Sequence, residues 1–148
     1  MKLLVAVDLS DSTKTIVKKA EEIAKAFSAE VWILHNAVPE PDVVEFRADP
    51  QTARESLAKK FHSEHRQIQE IAKGFREAGL NTTALLVHGK TVETILKEAS
   101  KLNVDMIVVG SHRRSAVHQL LVGSSVSEGV FHKSECPILV VPTRNNNL

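Results

Sequence analysis

The sequence predicts a single α/β domain built on a parallel β-sheet. Short apolar segments rich in β-branched residues alternate with segments of helical periodicity five times along the chain. Several of these apolar segments lack alternating polar residues, which is typical of strands buried on both faces. The chain has 148 residues, of which 43% are hydrophobic and 25% charged, and this length favours one domain over two. We therefore expect a doubly wound sheet with helices on both faces.

Composition excludes several classes of protein. The 19 Lys and Arg residues nearly balance the 18 Asp and Glu residues, so the net charge of +1 provides no global field for nucleic acid or an anionic membrane. No apolar segment has the length of a transmembrane helix, and the first one, 3–7, is too short for the core of a signal peptide. The single cysteine, Cys136, cannot form an internal disulfide and is predicted to be a small buried hydrophobe. We predict a cytoplasmic protein.

The first strand is predicted over Lys2 to Asp8, so that Asp8 emerges at the carboxyl edge of the sheet, where open α/β sheets bind ligands. From the residues alone, Asp8 is equally consistent with a solvated turn. Ser10, Asp11 or Ser12 can then cap an amphipathic helix. Its predicted inner face consists of Ile16, Ala20, Ile23, Ala24 and Phe27.

The second strand is predicted over Glu30 to Val38, and a long loop follows it. Pro39, Pro41 and Pro50 argue against regular structure across 39–50. Loops of this length are often functional, so the segment is either a flap over a site at this sheet edge or an ordinary surface connection.

A long helix is predicted over Thr52 to Ala78, with Gly79 just beyond its end. His62 and His65 lie three residues apart on it, but two ligands without an HExxH arrangement do not make a zinc site. The apolar stripe of this helix consists of Leu57, Phe61, Ile68, Ile71, Ala72 and Phe75.

The third strand is predicted over Asn81 to Val87, with Leu85 and Val87 inward. The following HGKT resembles the end of a P-loop, but the earlier glycine of that motif is replaced by Ala84, which excludes a P-loop. Thr91 is instead predicted to cap a helix that runs to about residue 102.

The segment from 104 to 126 contains the strongest candidate for a ligand site. A strand predicted over Asp105 to Val109 ends at Gly110, and Gly123, Ser124 and Ser125 precede another helix. The first N–H groups of a helix have no intrahelical partners and attract phosphate. Alternatively, Gly110 only ends a strand and Ser124 or Ser125 only caps a helix.

The chain is predicted to end with a helix over Ser125 to His132, a strand over Pro137 to Val141 and a disordered tail over 143–148. If this last strand lies at an edge of the sheet, its apolar residues are open to aggregation unless a strand of a second copy pairs with them.

The segment after the fourth strand resembles the universal stress protein family, whose ATP-binding members carry the pattern G-x2-G-x9-G-[ST]. Gly110, Arg113, Gly123 and Ser124 occupy its positions here, with the nine intervening residues in register. Val126 to Val141 is also similar to the last helix and strand of that family. The sequence departs from the pattern at Arg113, which replaces a glycine, and at an additional serine before Val126. Arg113 either contributes a charge-assisted phosphate contact or blocks the site.

The resemblance covers nearly the whole chain, residues 1–142. It implies a Rossmann-like sheet of order 3-2-1-4-5, similar to the adenine nucleotide alpha hydrolase fold, and a homodimer through Pro137 to Val141. It also implies that the chain binds ATP, with or without Mg²⁺, and regulates a protein partner in a stress response. The implied nucleotide contacts are Asp8 to ribose or metal, the backbone of Asn36, Ala37 and Val38 to adenine, and Gly110, Arg113, Gly123, Ser124 and Ser125 around the phosphates.

Two other classes of function were considered, an interaction protein and an enzyme. The chain is either the regulatory module described above or a dimeric interaction protein of the same fold that has lost nucleotide binding. Arg113 favours the interaction protein. We do not expect an enzyme, because related folds that hydrolyse ATP to AMP carry an SGGxDS loop after the first strand, and residues 8–12 contain no glycine. Slow ATP hydrolysis, for which Asp8 and His112 are the nearest candidates, is not excluded by the sequence.

Overall fold

The computed structural model describes residues 1–37, 50–112 and 125–143. The strands within these residues are β1 Lys2–Ala6, β2 Glu30–Asn36, β3 Thr82–Val87, β4 Met106–His112 and β5 Ile138–Thr143. They form one sheet in the order β3-β2-β1-β4-β5, and every neighbouring pair is parallel. The predicted class and strand order are therefore confirmed.

Helices cover both faces of this sheet and create two separate cores. The helices are α1 Thr13–Phe27, α2 Pro50–Glu77, α3 Thr91–Leu102 and α4 Val126–Lys133. Alternate residues of a strand point to opposite faces, so Leu3 packs with α1 and α2 whereas Leu4 packs with α3 and α4. Both leucines are fully buried.

Three helices end on residues with left-handed backbone. Ser28 follows α1 with φ 48°, and Asn103 follows α3 with φ 52°. Gly79, which follows α2 as predicted, has φ 86°. Because glycine adopts this conformation without a steric penalty, Gly79 gave the clearest sequence signal for a helix end.

Several predicted element boundaries are wrong. β1 ends at Ala6 rather than Asp8, and β2 ends at Asn36 rather than Val38. Proline or glycine lies at three other boundaries. Pro50 is the first residue of α2, because a proline at the first helical turn loses no hydrogen bond. β4 continues through Gly110 to His112, and β5 continues through Pro142 to Thr143, opposite β4. A proline is tolerated there because β5 is an edge strand. Thr143 is therefore strand rather than tail, and 144–148 lie outside the described residues.

Two side-chain predictions also need correction. Phe27 is 58% exposed at the last turn of α1 and does not belong to the core. Thr91 does not cap α3, because the N-cap position is Lys90 and Thr91 is the first helical residue.

Cys136 is half-buried and packs against the core on the α3 and α4 face of the sheet, which contains Leu4. In the described ranges no helix is both long and apolar enough to cross a bilayer. The predicted flap, 39–49, lies outside the described residues.

Candidate functional site

A cleft of about 380 Å³ opens at the carboxyl edge of β1, β2 and β4. It reaches both faces of the sheet, because α1 and α2 contribute to its wall on one side and α3 and α4 on the other. Four of the residues predicted from the sequence line it together: Asp8, Asn36, Gly110 and Ser125. Parallel strands bring the residues that follow them to one edge, which is why positions distant in sequence meet here.

Asp8 lies in a tight turn between β1 and α1. Its Oδ1 accepts hydrogen bonds from the Ser10 backbone N at 3.0 Å and the Ser10 hydroxyl at 2.6 Å, and it lies 3.5 Å from the Thr13 hydroxyl. Leu9 takes a left-handed φ of 59°, which turns the chain sharply after Asp8. The turn holds the exposed Asp8 carboxylate at the cleft.

Asn36, the last residue of β2, is fixed by its side chain. Its Nδ2 donates to the Gly89 carbonyl at 2.7 Å and to the Thr91 hydroxyl at 3.0 Å, and only 8% of the residue is exposed. This pair of bonds attaches the end of β2 to the start of α3. An apolar side chain at this position could not form these two hydrogen bonds.

Ala37 is fully buried and does not line the cleft. Its N–H donates to the Val87 carbonyl at 2.8 Å, and its carbonyl lies 3.3 Å from His88 Nδ1. Both of its backbone groups therefore have partners in β3 and the turn after it. Val38, the third residue predicted to approach the base, lies outside the described residues.

Gly110 lies inside β4, opposite Val141, and its backbone does not take a positive φ. A Cβ at this position would lie 2.5 Å from Ile16 Cδ1 and 3.1 Å from Ile16 Cγ1. The glycine therefore leaves room for Ile16 of α1 to pack closely on the sheet. Since Ile16 also lines the cleft, this packing sets the shape of the cleft wall.

Ser125 is the N-cap of α4, as one of the two open interpretations predicted. Its Oγ accepts from the Glu128 backbone N at 3.3 Å, and its hydroxyl lies 3.0 Å from that of Ser127. Ser125 and Val126 both line the cleft, so the amino end of α4 opens toward it. This end of the helix is suited to an anion. Arg113, Gly123 and Ser124 lie outside the described residues.

The sequence interpretation missed a buried pair on the wall formed by α2. His35 Nδ1 lies 2.9 Å from the Val7 carbonyl, so Nδ1 carries the proton, and His35 Nε2 lies 3.4 Å from Glu64 Oε2. That separation is longer than an ordinary hydrogen bond, and both atoms are buried without a hydrogen-bond partner among the described residues. A histidine inside an apolar strand was the available signal for this pair.

Metal ligands do not gather at this site in the residues that the structure describes: no group of three or more His, Cys, Asp and Glu side chains is placed to hold an ion. His62 and His65 are both exposed on α2.

Comparison with known proteins connects this geometry to one family. The model of the universal stress protein family matches residues 1–142. The universal stress protein YxiE of Bacillus subtilis is 31% identical over 145 residues, which cover 95% of this chain and 97% of that protein. The solved structure of the Methanocaldococcus jannaschii protein MJ0577 superposes with a TM-score of 0.77 and 28% identity, covering 98% of this chain and 97% of that one.

Two further structures of similar fold contain adenine nucleotides. An Arabidopsis thaliana universal stress protein family member with AMP bound has a TM-score of 0.71 and 21% identity, covering 99% of this chain and 94% of that one. A universal stress protein in complex with cAMP has a TM-score of 0.68 and 23% identity, and 96% of each chain is covered.

Proposed function

This chain belongs to the universal stress protein family, and we propose that it is a regulatory module that binds an adenine nucleotide, ATP in particular, in the cleft at the carboxyl edge of the sheet. The observation that carries the proposal is the meeting of Asp8, Asn36, Gly110 and Ser125 at one cleft. The AMP and cAMP bound to proteins of similar fold support the choice of ligand.

The cleft offers a different environment to each part of a nucleotide. Its volume of about 380 Å³ lies in the range of sites for small molecules. The amino end of α4 and the hydroxyl of Ser125 are suited to phosphate oxygens. Asp8, whose carboxylate is held at the cleft, would accept hydrogen bonds from ribose hydroxyls. Mg²⁺ would arrive with the nucleotide, since it commonly binds through phosphate oxygens.

We propose that the protein acts as a homodimer through Pro137 to Val141 and signals to a protein partner in a stress response. β5 is an edge strand with its outer side unpaired in the described residues, and Val140 on it is 39% exposed. Phe131, on the neighbouring α4, is 66% exposed. Such an apolar edge gains from pairing with a second copy. The single cysteine fits the reducing cytoplasm.

The second candidate function is a dimeric interaction module that does not bind nucleotide. Arg113 favours it, because this arginine replaces a glycine in the phosphate-binding pattern of the family. In neither case do we assign a catalytic role.

Calorimetric titration with ATP, with and without Mg²⁺, tests the first function, after denatured protein has been assayed for carried nucleotide. We expect micromolar binding. Asp8→Asn keeps an acceptor for Ser10 but removes the charge, and it should weaken binding about 10-fold or more, because hydrogen bonds to a charged group contribute about 1.5–3 kcal/mol.

Asp11→Asn is the matched control, because it makes the same charge change at an exposed residue that does not line the cleft. Equal losses in both variants would contradict the assigned role of Asp8. Absence of ATP binding and of carried nucleotide in the wild-type protein would favour the interaction module.

A further inference from the structure

Gly129 lies inside α4, at a position where glycine weakens a helix. It is the fourth residue of Val126–Lys133 and does not take a positive φ, so any residue could adopt its backbone conformation. Alanine would favour the helical state more strongly than glycine does. The reason for a glycine here is therefore the absence of a side chain and not the freedom of the backbone.

The missing side chain leaves room for Val92 of α3. A Cβ at Gly129 would lie 2.7 Å from Val92 Cγ2, 3.3 Å from its Cγ1 and 3.6 Å from its Cβ. The shortest of these distances is about 1 Å below an ordinary carbon–carbon contact. Valine has one strongly preferred χ1 rotamer in a helix, so its methyl groups cannot simply turn away. α3 and α4 therefore approach each other closely because position 129 carries no Cβ.

This contact lies one helical turn from the part of α4 that borders the cleft. The Gly129 N–H donates to the Ser125 carbonyl at 3.0 Å, and both Ser125 and Val126 line the cleft. On the other helix, Thr91 directly precedes Val92 and also lines the cleft. A change in the separation of α3 and α4 at this contact would therefore displace cleft residues of both helices.

The packing of α4 determines how it would respond to a larger side chain at position 129. Val130, the next residue, is fully buried in the core that contains Leu4, so α4 cannot rotate about its axis without exposing it. α4 has only eight residues, and a helix of two turns moves as one body. We therefore expect a Cβ at Gly129 to push α4 away from α3 and to carry Ser125 with it.

We propose that Gly129 is a positioning residue of the cleft: by allowing α4 to pack on Val92, it places Ser125 and the amino end of α4 where a phosphate group binds. The inference rests on the proposed binding of a nucleotide in this cleft. Gly129 itself does not line the cleft and acts only through the position of α4.

Calorimetric titration with ATP and with adenosine tests this role, because only ATP carries phosphate. In Gly129→Ala we expect the dissociation constant for ATP to rise about 10-fold, since a hydrogen bond to a charged group is weakened once its donor moves. The constant for adenosine should change much less, because Asp8 and Asn36 lie at the ends of strands that Gly129 does not touch. A general loss of structure would weaken both ligands equally.

Val92→Ala provides the rescue variant, because it removes both Cγ atoms that the new Cβ would meet. In the Val92→Ala background, Gly129→Ala should change the dissociation constant for ATP by less than about 2-fold. Gly74→Ala is the matched control, since it makes the same substitution inside α2 with no atom within 4 Å of the added Cβ. It should leave both dissociation constants unchanged.

Three results would overturn the proposal: wild-type affinity for ATP in Gly129→Ala, equal losses for ATP and adenosine, or a loss for ATP that Val92→Ala does not relieve. If Gly129→Ala does not fold, Val92→Ile crowds the same contact from α3 and allows the same comparison of ligands. A wild-type protein that binds neither ligand would refute the proposed nucleotide function itself, which is a different result from binding that Gly129→Ala leaves unchanged.

Discussion

Replacing Gly110 by alanine should destabilise the protein through a single neighbour, Ile16. The added Cβ would lie 2.5 Å from Ile16 Cδ1, about 1 Å inside the ordinary carbon–carbon contact distance of about 3.5–4.0 Å. Ile16 is 2% exposed and has little room to move. Overpacking of this kind lowers the free energy of unfolding by about 1–3 kcal/mol. Alanine also reduces the conformational entropy of the unfolded chain, which raises the free energy of unfolding by about 0.4–1 kcal/mol. We expect a net loss of about 1–2 kcal/mol.

A double-mutant cycle with Ile16→Val tests this reasoning, because that substitution removes the Cδ1 atom. Alone, Ile16→Val should cost about 0.5–1.5 kcal/mol. In the Gly110→Ala background it should cost much less, which gives a coupling energy of about 1 kcal/mol. Urea unfolding can be followed by the fluorescence of Trp32, the single tryptophan, which is 9% exposed in the second core.

Gly74→Ala provides the matched control for this cycle. Gly74 lies in α2, is exposed and has no atom within 4 Å of an added Cβ, so the same substitution should stabilise the protein by about 0.5–1 kcal/mol. If Gly110→Ala and Ile16→Val are simply additive, Gly110 is not required for the packing of α1, and the shape of the cleft wall needs another explanation.

Two further substitutions address the site. Ser125→Ala should lower the free energy of unfolding by about 1 kcal/mol through loss of the cap on Glu128 N, whereas Ser125→Asp should keep the cap yet weaken ATP binding through repulsion of phosphate; equal stability of the alanine variant and the wild type in urea would contradict the capping role. Glu64→Gln should raise the free energy of unfolding by about 1 kcal/mol, because an amide N–H can donate to the buried His35 Nε2, whereas Glu64 Oε2 lies 3.4 Å away without a hydrogen bond. The exposed Glu70→Gln should change stability by less than about 0.5 kcal/mol, and a similar value for Glu64→Gln would contradict this account of the pair.

The fold could be predicted well because the strands are continuous apolar segments. Successive residues such as Leu3 and Leu4 point to opposite faces of the sheet and are both buried, as expected for a parallel sheet covered by helices on both faces. Proline and glycine were less informative, because each residue type occurs in two structural contexts. A proline such as Pro50 can interrupt regular structure or begin a helix, and a glycine such as Gly110 can end a strand or allow a neighbouring side chain to approach closely. Neither boundary could therefore be assigned from the sequence alone.

The site was predictable only in part, for a related reason. Asp8 was identified because it follows the first strand at the carboxyl edge of the sheet, and Ser125 because it precedes a helix that begins at the same edge. The side-chain bonds of Asn36 to the turn before α3 could not be foreseen, since they join positions 53 and 55 residues apart in sequence. The proximity of His35 and Glu64 depends on how α2 is rotated about its own axis where it packs on the sheet. The apolar stripe of a helix shows which face is buried, but it does not fix this rotation closely enough to predict which two side-chain atoms meet.

The central place of β1 in the sheet has a consequence for the synthesis of the chain. β1 is synthesised before the other four strands and one of its neighbours, β2, follows soon after, yet its other neighbour is β4, where Leu3 pairs with Met106. At a translation rate of about 5–20 residues per second, roughly 5–20 seconds pass before that partner exists. During this interval the central strand of the sheet presents one open, apolar edge. The nascent chain is therefore most vulnerable to aggregation before β4 is made, and a pause in translation ahead of β4 would prolong that risk.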